Sequence, residues 1–153
     1  MRQDRKETLG YVVHGLSIAL YFYLASTLDV LHVPLPIRYL AWILLGLGVT
    51  LVLVSIATLV GNRGEGLIEG GIYGIVRHPM YLGGIVLFFS WIFFCPHWIV
   101  LLISSANIAI VYRTILHGER RNIIKFGDTY GRYMESVPRM NLMAGLVRRL
   151  QRK

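Results

Sequence analysis

The sequence predicts an all-α integral membrane protein of about four transmembrane helices, the last two a helical hairpin, followed by a cytosolic C-terminal helical segment. Three observations carry this expectation. Hydrophobic residues make up 55% of the 153 residues and charged residues only 16%, against roughly 45–50% and about 25% in soluble domains. The apolar residues gather into runs near the length of a bilayer crossing. The cations gather on one side of those runs. The whole chain, residues 1–153, reads as one membrane domain.

The first run, Leu9 to Leu28, is broken only by His14 and a few Ser, Thr and Gly. A basic leader precedes it, but the run exceeds the ~7–15 apolar residues of a secretory signal, so it reads as a retained helix. Tyr39 to Val60 carries no formal charge and makes a second span. Tyr81 to Cys95 and His97 to Leu116 make the third and fourth, joined at Cys95-Pro96-His97. Pro96 has no backbone N–H, which suits the bend of a hairpin. The third run amounts to about 22 Å of helix at about 1.5 Å per residue, so whether it crosses the whole bilayer stays open.

Four spans place the N-terminal tail, the segment Gly61 to Met80 and everything after Ile110 on one side. All of the 16 Lys and Arg except Arg38 fall there, and this bias predicts that both termini are cytoplasmic. The net charge of +8 then serves retention and attraction to anionic headgroups, worth about 1 kcal/mol per cation near the surface. Membrane lipids are the expected partners and nucleic acid is not. Disorder is excluded for a chain this apolar. A disulfide scaffold is excluded because Cys95 is the single cysteine. Residues 141–153 read as an interfacial basic tail.

Few groups within the spans can do chemistry. His14, Ser17, Ser26, Ser55, Thr58, Ser104, Ser105 and Asn107 read as helix–helix hydrogen-bonding or packing positions, and Asn107 is the hardest to confine to that role. The polar material collects in two cytosolic segments, 61–84 and 112–140, so an enzymatic site is expected there.

The first segment reads GNRGEGLIEGGIYGIVRHPMYLGG. Its glycines allow close backbone approach to a ligand, while Ile72, Tyr73, Ile75 and Val76 point to a packed turn rather than a linker. Pro79 suits the first turn of the third helix. Arg77, His78 and that helix N-terminus together make a cradle for a carboxylate or phosphate.

The second segment reads YRTILHGERRNIIKFGDTYGRYMESVPRM. Arg113, His117 and Arg120 stand at i, i+4 and i+7 and share a helical face. Arg121, Lys125 and Arg132 are as well explained by an amphipathic helix on anionic headgroups. Glu119 is not, because a carboxylate gains nothing there. Gly127 and Gly131 are expected to break the helix and leave Tyr130 and Tyr133 on a shorter piece.

GIYGIVRHPMYLG, followed by GERRNIIKFGDTYGRYMESVPR, resembles the isoprenylcysteine carboxyl methyltransferase and phospholipid methyltransferase superfamily. The resemblance runs from Gly70 to Arg139, about half the chain, and the first two spans match only as generic helices. It implies a membrane methyltransferase that uses S-adenosylmethionine in a cytosolic pocket capped by the C-terminal segment. Carried over by motif, Tyr73, Arg77, His78, Tyr81, Leu82, Glu119, Tyr130 and Tyr133 belong to the cofactor pocket. No metal is implied. One departure stands out: the family's Glu-Glu pair is Gly118-Glu119 here, so either Glu119 suffices alone or the chain has lost cofactor binding.

The residue chemistry suits that implication. A guanidinium such as Arg77 pairs with a carboxylate in bidentate fashion. Glu119 can accept from ribose hydroxyls or an ammonium. Tyr81 or Tyr130 can stack on adenine or lie over a cation. No Gly-x-Gly-x-x-Gly strand–helix fingerprint is present. Methyl transfer needs in-line positioning and desolvation. Arg113 or Arg120 could orient an acceptor carboxylate, whereas an amine or thiol needs a base such as His78, His117 or Glu119. The acceptor, a prenylcysteine-like carboxylate, a phospholipid amine or a small thiol, stays open. Two rivals remain: a small sterol-reductase-like NADPH enzyme and a non-catalytic membrane partner protein.

Overall fold

The computed structural model describes residues 2–27, 33–62, 64 and 66–151. Leu28, Arg63, Arg152 and Lys153, which the sequence assigns to the first span, the loop and the tail, lie outside them. Six α-helices follow one another: α1 (Arg2–Thr27), α2 (Leu35–Gly61), α3 (Pro79–Phe94), α4 (Trp98–Phe126), α5 (Asp128–Ser136) and α6 (Leu142–Gln151). A short 3-10 turn, Gly71–Gly74, lies between α2 and α3. No strand occurs among the described residues.

Each apolar run is a helix, with shifted ends. α1 begins at Arg2 instead of Leu9, so the basic leader is helical too. α2 begins at Leu35, four positions before Tyr39, because Pro34 and Pro36 set a helix-compatible φ and their missing N–H groups cost nothing in a first turn. α3 is only 16 residues long. α4 continues ten positions beyond Leu116 to Phe126. Gly127, at φ 54°, ends it in the left-handed region that favours glycine. Gly131 does not break a helix as expected: it lies inside α5, where its φ is negative and flanking residues supply the packing.

α2 and α4 are each long and apolar enough to cross a bilayer, while Val12–Thr27 and α3 are shorter apolar stretches. Leu16, Trp42, Ile43, Leu53 and Leu102 are each at least 60% exposed.

Packing between the helices uses small residues and buried hydrogen bonds. At the α2–α3 contact, a Cβ on Gly48 would stand 2.8 Å from Leu87 and one on Gly83 would stand 2.8 Å from the Gly48 carbonyl. Only glycine at both positions allows this approach. The α3–α4 hairpin turns at Cys95–His97, and the His97 ring accepts from the Ile99 N–H at 3.3 Å, capping α4. α1 is joined to α4 by His14 Nδ1 to Asn107 Oδ1 at 2.5 Å, Asn107 Nδ2 to Ser17 Oγ at 2.9 Å and Tyr21 OH to Ser104 Oγ at 2.9 Å. Tyr21 also stacks on Trp91 of α3 at 5.0 Å. Ser26, Ser55 and Thr58 instead bond carbonyls of their own helices.

The C-terminal segment folds back over the glycine-rich loop. Tyr130, Tyr133 and Val137 form a small buried cluster with Leu67, Phe126 and Met134 at its edge. α6 lies so close to the loop that a Cβ on Gly145 would collide with the Ile75 carbonyl, and Arg149 Nη1 donates to Gly71 O at 2.7 Å. Met143 and Leu150 stay largely exposed.

Candidate functional site

The two polar segments meet through their backbones. The Arg77 N–H donates to Pro138 O at 3.0 Å and the His78 N–H to Arg139 O at 3.2 Å. Tyr133 OH donates to Tyr73 O at 2.7 Å. These bonds clamp Arg-His-Pro against the Val-Pro-Arg that closes the second segment. Pro79 then starts α3, His78 stands at its N-cap position, and the side chains of Arg77 and His78 are buried.

What they meet is Glu119. α4 buries Val111, Ile115 and Glu119 at four-residue spacing, which carries the carboxylate on the same stripe as the core residues. His78 Nε2 donates to Glu119 Oε1 at 3.2 Å. Arg139 Nε donates to Oε1 at 3.0 Å and its Nη2 to Oε2 at 2.7 Å, a bidentate pair. Arg77 Nη1 stands 3.0 Å from Oε1. Arg139 Nη1 also donates to Tyr112 OH at 3.2 Å.

Burial pushes the Glu119 carboxyl up, but the hydrogen bonds and charges of Arg139, Arg77 and His78 outweigh it and hold the group below the usual carboxylate range. Burial lowers His78 against the pull of Glu119, and the two guanidinium groups add to that lowering. At neutral pH the ring is therefore uncharged and its Nε2–H is a hydrogen-bond donor. Two guanidinium charges face one carboxylate, so the buried centre keeps a net positive charge.

Arg77 is the unfinished part of this centre. Its Nη1 lies near Glu119 but off the donor direction, and neither Nη1 nor Nε has a hydrogen-bond partner among the described residues. Buried guanidinium donors left open cost about 1–3 kcal/mol or more each. They fit an anion that supplies the missing acceptors, such as a carboxylate. The residues present therefore fit the amino-acid end of S-adenosylmethionine.

The structure brings together Arg77, His78 and Glu119 from the expected set. Tyr81 sits one turn along α3, its ring 6.0 Å from that of His78, and the Leu82 N–H bonds His78 O at 2.9 Å. Tyr73 is half-buried, and burial with Tyr81 nearby raises its phenol. Tyr130 and Tyr133 are buried in the wall behind the loop, where burial raises the Tyr133 phenol strongly. Arg113, His117 and Arg120 are not brought in. They are exposed on the opposite side of α4, because the stripe through Val111, Ile115 and Glu119 turns them away, and no hydrogen bond or ion pair joins them to the cluster among the described residues. Glu119 is a poor base, since most of its lone pairs are already occupied.

Arg139 and Tyr112 were absent from the expected site. Arg139 lies 20 positions from Glu119, and only the turn at Pro138 carries it back. The closing Val-Pro-Arg was the available signal, a cation directly after a rigid turn.

These features define a small all-helical protein with an apolar exterior and a buried, net-cationic centre at the polar end of its bundle. A profile of the phospholipid methyltransferase family matches residues 36–126. The chain belongs to that family, a membrane-associated group of methyltransferases. No curated protein and no solved structure matches it. The matched region includes Arg77, His78 and Glu119 and stops before Tyr130, Tyr133 and Arg139.

Proposed function

We propose that the chain is a multi-pass membrane enzyme with both termini cytoplasmic that uses S-adenosylmethionine to methylate a lipophilic acceptor at the cytosolic face. The single observation that carries this reading is the buried Arg77, with two donors unpaired beside the Glu119 carboxylate. When bound, the cofactor supplies an electrophilic methyl group on a sulfonium. Arg77 takes its carboxylate. Glu119 positions Arg77, His78 and Arg139 more than it reacts, and its remaining lone pair on Oε2 accepts from a ribose hydroxyl or the ammonium. Tyr81 and Tyr73 border the cofactor, with Leu82 behind them.

Tyr130 and Tyr133 support the loop, and α6 closes over it through Gly145 and Arg149, which excludes water from the site. Arg113, His117 and Arg120, on the outer side of α4, are assigned to anionic headgroups that surround the acceptor. A lipophilic acceptor reaches such a site sideways from the bilayer, which accounts for a polar centre built on apolar helices.

Calorimetric titration of the detergent-solubilised protein with S-adenosylmethionine and, separately, NADPH tests this reading. Binding of the first alone is expected, followed by transfer of radiolabel into a total lipid extract. Binding of NADPH alone, or of neither, overturns it.

A further inference from the structure

α6 is amphipathic, and its polar side is the one that meets the rest of the protein. Met143, Leu146, Val147 and Leu150 stand at i, i+3, i+4 and i+7, a single stripe of the helix, and are 73%, 43%, 50% and 72% exposed. Gly145, two positions on from Met143 and so about 200° around the axis, is buried against the Ile75 carbonyl. Arg148 and Arg149 stand on either side of Gly145. Arg148 Nη1 donates to Glu135 O at 3.2 Å and Arg149 Nη1 to Gly71 O at 2.7 Å.

A helix built this way needs cover on both sides. α6 has ten residues, fewer than the ~12–15 at which an isolated helix becomes even marginal in water. Gly145 near its middle lowers the helix propensity further. The protein covers the Gly145 side and leaves the apolar stripe open.

Charge and size select what covers the stripe. After Glu135 the chain carries Arg139, Arg148, Arg149, Arg152 and Lys153 and no acidic side chain. Arg139 is taken up by Glu119. The partners of Arg148 and Arg149 are neutral carbonyls, which leave their charge uncompensated. Cations bordering an apolar stripe match an anionic lipid surface, where headgroups take the charge and the acyl boundary takes the stripe. α2 and α4, each long and apolar enough to cross a bilayer, bring such a surface within reach. A second copy of the chain fits less well. One side of a ten-residue helix, about 15 Å by 10 Å, is far below the ~800 Å² that each partner of a stable dimer buries.

α6 also touches the cofactor side. Gly71 and Ile75, which it contacts, belong to the loop that runs directly into Arg77 and His78. Resting on the methyltransferase reading, we propose that α6 docks its apolar stripe on an anionic lipid surface and that this docking holds the loop beside Arg77 and His78 in place for the cofactor. The membrane surface then regulates the site through a helix that touches no cofactor itself.

The test uses the full chain in nanodiscs of phosphatidylcholine, alone or mixed in equal parts with phosphatidylglycerol. Methyl-labelled methionine is followed by NMR, and the Met143 signal is identified by its loss in Met143→Leu. In mixed discs a lipid nitroxide just below the headgroups is expected to broaden the Met143 signal, while a water-soluble gadolinium chelate does not. Leu146→Glu combined with Leu150→Glu, both at exposed positions, is expected to reverse that pattern. Calorimetry on the same discs reads the consequence. S-adenosylmethionine is expected to bind roughly fivefold tighter in mixed discs, the worth of one cation at an anionic surface, and the doubly substituted chain should lose that gain.

Broadening by the chelate and not by the nitroxide overturns the docking. So does a Met143 signal shielded from both probes, which would mark a second copy or another protein on the stripe. Equal nitroxide broadening in discs of phosphatidylcholine alone overturns the anionic preference. Docking without a lipid-dependent cofactor affinity overturns the regulation. Absence of S-adenosylmethionine binding in every disc sinks the methyltransferase reading, while the Met143 signal still decides the docking.

Discussion

His78 Nε2 donates to Glu119 Oε1 across 3.2 Å although 41 positions separate the two along the chain. One comes from the turn before α3 and the other from the polar extension of α4. Their meeting places both polar segments in one buried centre, with Arg77 and Arg139 also on the carboxylate.

Cofactor affinity is the direct readout of that centre. Arg77→Ala and Glu119→Gln are each expected to weaken S-adenosylmethionine binding at least tenfold, about 1.4 kcal/mol, by calorimetry. Lys153→Ala should leave it unchanged. A tail substitution that hurts as much as the centre's own would show the site to be elsewhere.

Arg139 tests whether the second segment completes the site. Arg139→Ala removes three hydrogen bonds, two of them to a buried carboxylate. Its side chain is 34% exposed, so water screens part of the loss, and a destabilisation of about 1–3 kcal/mol is expected. Arg139→Lys should recover only part of it, since an ammonium cannot reproduce the bidentate pair. Thermal unfolding in detergent measures both.

Acid should destabilise the protein in two stages. His78 is held below its ordinary 6.5 and Glu119 below its ordinary 4.5. The unfolded chain therefore binds more protons than the folded one below each ordinary value, so stability is full above it and falls as pH drops. The unfolding midpoint should be level above neutrality, decline below about 6.5 and decline again below about 4.5. His78→Gln should remove the first decline and keep the second.

The α2–α3 contact makes a sharp prediction because two nearby glycines differ in surroundings. Gly48→Ala pushes a methyl into Leu87 and Gly83 and is expected to cost about 1–3 kcal/mol. Gly46→Ala meets nothing within 4 Å and should be neutral or stabilising by up to about 1 kcal/mol. Equal effects in a chemical-denaturation series would contradict the packing described.

Gly118 departs from the family's paired glutamates, yet a Cβ there meets nothing within 4 Å. Gly118→Glu is expected to fold normally and to change cofactor affinity less than about threefold, because Glu119 alone holds the cationic groups. A larger gain in calorimetry would show that the missing carboxylate matters.

Helices were legible in the sequence because apolar run length is a local property: Tyr39 to Val60 and His97 to Leu116 needed no partner to be read, and Pro79 and Gly127 marked their own helix ends. The Arg-His-Pro segment and Glu119 were legible as chemistry, since residue type and spacing carry it. The early start of α1, the burial of Tyr130 and the outward placement of Arg113 and Arg120 were not, because each depends on which side of a helix finds a neighbour.

What the sequence by itself determined is an apolar helical chain with two polar, motif-bearing segments and a strong cation bias. Only the tertiary structure decided that Pro138 returns Arg139 to Glu119, that Arg77 keeps two donors open, and that Gly84 faces empty space while Gly83 does not. The physical reason is distance along the chain. Periodicity tells which residues share a face, but the partner of that face, and the hydrogen bonds it completes or leaves open, are set by contacts between residues far apart in sequence.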